Sequence, residues 1–166
     1  MSTPCVCNRK ITQIHFHHDG GGTEFDDAED IKRHALSRTD QSFKDLPYNF
    51  VINRRLAVED SVDVPISNQW QVLTGRDIEV MPASIKGHNE GAVAIVIAGR
   101  WDNSPLPTFA EDRAIEVAVW LCESFGLRAG DIYGHKELAP PGYTVCPGYD
   151  MDRIRCIVAA RLPVIY

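Results

Sequence analysis

The segment AVAIVIAG at residues 92–99 carries no polar side chain, and it constrains this chain more than any other stretch. A strand with one wet face alternates apolar and polar residues, whereas an unbroken apolar run suits a strand covered on both faces. Helical layers must then lie above and below it. Residues 11–17 read as a second strand, with Ile14 and Phe16 on one side and His15 and His17 on the other. Residues 48–52 form a third strand, 70–74 a fourth and 131–133 a short fifth, while 53–56 read as a turn. Helical periodicity occupies residues 26–37, where Ile31 and Ala35 face inward and His34 and Leu36 are further candidates. A longer helix starts at Thr108, which with Glu111 fits a capping box, buries Ile115, Ala118, Val119 and Cys122, and stops at Gly126. A last helix spans about 150–160 with Ile154, Ile157 and Val158 inward. Strands alternate with helices and nothing repeats. The expected fold is therefore α/β, a single domain with a central mixed β-sheet of about five strands flanked by helices on both faces.

Against that frame three short stretches concentrate metal-binding chemistry: FHHD at 16–19, GHKE at 134–137 and VCPG at 145–148. His17 and His15 share a strand face, and His17 lies nearer the strand end and the glycine loop, so it is the preferred ligand. His18 points the other way and suits a supporting hydrogen bond. His135 follows a strand directly. Cys146 stands before Pro147-Gly148, a tight bend that would hold a thiolate rigidly. Two histidines and one cysteine make a good Zn²⁺ set that leaves a fourth position open, the arrangement of a hydrolytic rather than a structural site.

Charge and cysteine usage exclude other classes. The net charge of −6, with no block of Lys or Arg, argues against a nucleic-acid partner. The five cysteines include a C-x-C at Cys5 and Cys7, too incomplete for a zinc site, and Cys122 and Cys156 within apolar helical patterns, where they read as small core residues. No run is long and apolar enough to span or anchor in a membrane, and the N-terminus lacks the basic-then-apolar pattern of a secretory signal, so synthesis in the cytoplasm is expected.

In IHFHHDGG at 14–21, LPYNFVI at 46–52, GR at 75–76, GHNEGAVAIVIAG at 87–99, IYGHKELAP at 132–140 and CPGYD at 146–150, the chain resembles the zinc-dependent N-acetylmuramoyl-L-alanine amidases. That family includes small phage lysozyme-type amidases and the peptidoglycan-recognition proteins. The resemblance implies zinc binding by His17, His135 and Cys146, the family's catalytic tyrosine at Tyr48 and a contributing hydroxyl at Thr144 where phage relatives often carry lysine; Asn89 is a candidate substrate contact, and His88 either stands in for the histidine absent at Ser84 or is simply exposed. It makes residues 1–10 an N-terminal arm and 11–166 the catalytic domain, expected to act as a monomer on peptidoglycan. Ser84 stands where members commonly carry a histidine, and residues 54–69 are longer than the usual connection. The implied reaction is hydrolysis of the amide between the lactyl group of N-acetylmuramic acid and L-alanine. A phage or prophage endolysin is expected, which waits in the bacterial host cytoplasm until the wall is reached. A cytosolic amidase of wall recycling, which commonly has aspartate at the Cys146 position, and a non-catalytic wall-binding module are the alternatives. Glu137, Tyr48 and the metal's own water are open as proton carriers.

Overall fold

The computed structural model describes residues 6–55 and 69–163. The apolar run becomes the centre of the fold. β4 (Ala92–Ile97) is fully buried along its length and lies third in a sheet of order β3-β2-β4-β1-β5. It pairs in parallel with β1 (Gln13–His18) and β2 (Phe50–Arg54). β5 (Ile132–Gly134) adds in parallel beside β1, and β3 (Trp70–Thr74) runs antiparallel to β2, so the sheet is mixed as expected.

Helices cover the two faces unequally. Ile14, Phe16, Val93, Ile95 and Ile97 belong to the larger core with α2 (Thr108–Phe125) and α4 (Met151–Arg161). On the other face α1 (Ala28–Ser37) buries Ile31 and Ala35, and Ile31 joins Leu46, Val51, Val96 and Ala98 in a smaller core. His15 and His17 alternate with Ile14 and Phe16 along β1, so they leave the larger core for the α1 side.

Several local readings are corrected. β2 starts at Phe50 and runs on through Asn53 and Arg54, which were expected to turn; Leu56 lies outside the described residues. The cause of the late start is Asn49, fully buried, whose Oδ1 accepts from the Ala94 N–H at 3.0 Å while Nδ2 donates to the Asp77 and Val80 carbonyls at 3.1 Å. An amide side chain thus occupies a place where strand backbone was expected. Arg54 is held in the strand by Glu24 at 2.8 Å and by the Phe25 ring at 5.5 Å. α2 has no side-chain cap: Pro107 is its N-cap, and Glu111 instead pairs with Arg153 at 2.8 Å, joining α2 to α4. Gly126 ends α2 in the left-handed conformation at φ 67°, as expected. His34 and Leu36 are exposed because α1 buries only a narrow i, i+4 stripe. Cys122 is buried, but Cys156 faces solvent, since α4 turns Ile154 and Val158 inward. Near the N-terminus, Arg9 donates from Nε to the Ile78 carbonyl at 2.8 Å and from Nη2 to the Ala92 carbonyl at 2.7 Å, fastening this segment to the sheet end. Cys5 and the segment 56–68 lie outside the described residues.

Candidate metal centre

Parallel pairing of β1 with β5 puts their C-terminal ends side by side, with Phe16 opposite Gly134. His17 is the next residue on one strand and His135 the next on the other. His135 opens a single helical turn, α3 (His135–Leu138). Cys146 arrives from the following loop and is fixed to that turn by the Lys136 N–H, which donates to its carbonyl at 2.7 Å. The approach needs Gly134, because a Cβ there would come within 2.9 Å of Pro147 and Met151. Two further bonds lock the loop to β1: the His18 N–H points at Cys146 Sγ at 3.4 Å, and the Tyr149 hydroxyl donates to the His17 carbonyl at 3.2 Å.

One ligand atom each from His17, His135 and Cys146 lie within 4.8 Å of one another, so the three side chains could share a metal ion. Sγ and His17 Nδ1 are 3.7 Å apart. Zn–S near 2.3 Å and Zn–N near 2.0–2.1 Å give a tetrahedral edge of about 3.5 Å, so the spacing fits two ligands of one ion. His17 and Cys146 are buried, whereas His135 is partly open. Burial, reinforced by His135, His15 and His18, holds the His17 imidazole well below its ordinary pKa. Burial, then His18, lowers His135 to about 4. Burial pushes the Cys146 thiol up to about 12, against the opposing pull of the His18 N–H. At neutral pH the metal-free centre therefore presents two neutral imidazole lone pairs and one thiol that must release its proton on metal binding.

His135 opens into a groove of about 690 Å³, lined among others by Arg38, Tyr48, Ser84, Asn89 and Tyr143. The Tyr48 ring lies 5.0 Å from that of His17. It packs on the α1 side, whereas Phe50 meets Trp120 across the sheet, so the two do not share a face. Burial, then Cys146 and Asp19, raises the Tyr48 phenol, which stays a hydrogen-bond donor. Asn89 lines the groove, its Oδ1 accepting from the Ser84 and Ile85 N–H groups at 2.9 Å. His88 is not among the lining residues; its carbonyl accepts from Gln13 Nε2 at 2.9 Å. Thr144 is also outside the lining, and its Oγ1 accepts from the Cys146 N–H at 3.1 Å. Glu137 faces Arg155 at 2.9 Å and takes the Gly134 N–H at 2.6 Å. Burial alone would raise Glu137, but these partners hold its pKa below the usual value, so it stands as an anion engaged by Arg155 and the Gly134 N–H. His18 Nδ1 accepts from the Trp101 N–H at 3.3 Å, so its ring braces the chain after Gly99, and it is the His18 backbone N–H that reaches Cys146. Tyr149, the aromatic of the CPGYD motif, thus fastens the loop to β1, a role its sequence position does not signal.

His15 lies behind His17, ring centroids 6.4 Å apart, with both ring nitrogens buried and unpartnered among the described residues. Burial, then His88 and His135, lowers its pKa to about 4. An unfolded chain titrates near 6.5 and so binds the proton first as pH falls. Stability present above about pH 6.5 is thus lost progressively down to about pH 4, by roughly 3 kcal/mol from this group. His15→Leu is expected to reduce that slope by this group's share, His17 and His135 keeping theirs, and to be more stable than the parent at pH 5, measured by denaturant unfolding at pH 5 and 7.5. An unchanged slope would place the acid sensitivity elsewhere.

Comparison with known proteins gives a family and a fold. A family model described as N-acetylmuramoyl-L-alanine amidase matches residues 8–149. Among solved structures, the amidase LysC from Clostridium intestinale URNW is 18% identical, with 94% of this chain and 90% of that chain covered and a TM-score of 0.69. The Ph2119 endolysin from Thermus scotoductus MAT2119 bacteriophage Ph2119 is 16% identical over 94% and 89%, with a TM-score of 0.65. Drosophila PGRP-LB is 18% identical over 96% and 85%, with a TM-score of 0.62. No curated protein sequence matches.

Proposed function

The chain belongs to the N-acetylmuramoyl-L-alanine amidase family, and from that premise we propose a zinc-dependent endolysin that cleaves the amide between the lactyl group of N-acetylmuramic acid and L-alanine in peptidoglycan. The observation that carries the reading is the meeting of His17, His135 and Cys146 within 4.8 Å of one another, with His135 opening into the groove. Bound there, Zn²⁺ would polarise the scissile carbonyl and lower the pKa of its water from about 15.7 to about 7.

The chain's own groups do the rest. His17, His135 and Cys146 hold the ion, and the buried side of the centre limits water to the groove side. Tyr48 donates its O–H to the scissile carbonyl oxygen as negative charge builds on it, a contact stronger in the transition state than in the bound substrate. Asn89, its Oδ1 engaged by backbone, offers Nδ2 to the substrate chain. Thr144 acts indirectly by orienting the Cys146 N–H, and His88 supports the sheet end. Residues 11–166 form the catalytic unit and act as a monomer.

Digestion of purified walls followed by mass spectrometry of the muropeptides tests the bond cleaved. New L-alanine amino termini are expected with the glycan intact. New reducing sugar ends would make the protein a glycosidase, and tight wall binding by zinc-loaded protein without release would make it a binding module.

A further inference from the structure

Tyr143 is the groove's exposed aromatic, 62% accessible, with its ring centroid 6.3 Å from that of His135. Its position is built rather than incidental. Pro140-Pro141-Gly142-Tyr143 closes a turn in which the Tyr143 N–H donates to the Pro140 carbonyl at 3.0 Å and Gly142 sits at φ 76°. Proline at the second position and a left-handed glycine at the third are what a type II turn requires. The ring is therefore carried on a stiff support, and little conformational freedom is lost when a ligand settles on it. Ala139 and Pro140 line the same stretch, which brings no charge to the groove. The segment 83–89 instead brings Lys86, which makes no ion pair among the described residues.

The two sides of the scissile amide differ in the same sense. The sugar is uncharged and offers an apolar C–H face; the stem peptide carries carboxylates. Aromatic faces accept apolar faces, and a lone ammonium suits carboxylates. Resting on the hydrolase reading above, we propose that Tyr143 is a specificity residue on which the muramoyl ring stacks, setting the sugar beside His135 and sending the stem peptide toward Lys86.

The test compares N-acetylmuramoyl-L-alanyl-D-isoglutamine with lactoyl-L-alanyl-D-isoglutamine, which lacks the sugar, as substrates of the zinc-loaded enzyme. Tyr143→Ala is expected to raise KM for the muramoyl compound roughly tenfold with kcat little changed, and to leave KM for the lactoyl compound as it was. Tyr143→Phe, which keeps the ring, should match the parent on both. Equal losses on the two compounds, or no loss on the muramoyl one, would overturn the proposal. Should the parent cleave neither compound, the hydrolase reading fails separately; both ligands are then stable to calorimetric titration, and their Kd values must show the same contrast for the stacking role to stand.

Discussion

Cys146→Ser is expected to abolish zinc binding and amide hydrolysis together while leaving the sheet folded. The serine is nearly isosteric, but its hydroxyl does not ionise to a soft ligand, and two imidazoles alone do not complete a zinc site. Losing partners of metal ligands already costs about 10–100-fold in affinity, so loss of a ligand itself should exceed that range. Because both imidazoles are neutral and the Cys146 thiol protonated in the metal-free centre, zinc binding by the parent should release about one proton. Calorimetry in buffers of different ionisation enthalpy reads that number, and the variant should show neither heat nor proton. The parent should also gain thermal stability. Free zinc at 100 times Kd adds about 2.7 kcal/mol, which for a domain of this size is roughly 5–11 °C in Tm. A Cys146→Ser protein that retained one zinc per chain, or kept the Tm gain, would move the ion away from His17 and His135.

The parts of the fold that were readable in the sequence are those fixed by local pattern. An unbroken apolar strand, helices with an inward stripe and a glycine stop each carry their own signal, and β4, Ile31, Ala35 and Gly126 took the places expected of them. The cluster of His17, His135 and Cys146 was legible for a related reason, since His17 lies near the end of β1 and His135 directly follows β5, two strands that the sheet sets in parallel. Features settled by distant partners were not. Asn49 acts in the sheet only because Ala94 and the 77–80 turn meet its amide. Glu111 leaves the Thr108 cap for Arg153, an exchange visible only once α2 lies on α4. Cys156 shares an apolar periodicity with its neighbours, but the residues around it decide which stripe of α4 turns inward. Tyr149 is likewise indistinguishable from a packing aromatic until its hydroxyl is seen on the His17 carbonyl. His88, a candidate to stand in for the histidine absent at Ser84, lies outside the groove lining in this structure, its N–H closing a turn on the Ile85 carbonyl at 3.0 Å.

Tyr48→Phe is expected to lower kcat by roughly 10²–10³ while KM and zinc content change little. The substitution removes one O–H and keeps the ring that packs on the α1-side cluster and against His17, so no cavity forms. Its effect then isolates a hydrogen bond made as charge develops on the scissile carbonyl oxygen. Burial favours the neutral phenol, so the donor is present throughout the working pH range, and any alkaline fall in rate should persist unchanged in shape in the variant. Thr144→Val supplies the contrast. Its hydroxyl faces the Cys146 N–H outside the groove, and its loss should cost less than about tenfold, chiefly through a looser thiolate and weaker zinc retention. If Thr144→Val proved as damaging to kcat as Tyr48→Phe with zinc fully retained, the threonine rather than the tyrosine would be the group that meets the reacting oxygen. If Tyr48→Phe kept the parent kcat, the phenol would serve packing alone, and the transition-state charge would rest on the ion held by His17, His135 and Cys146.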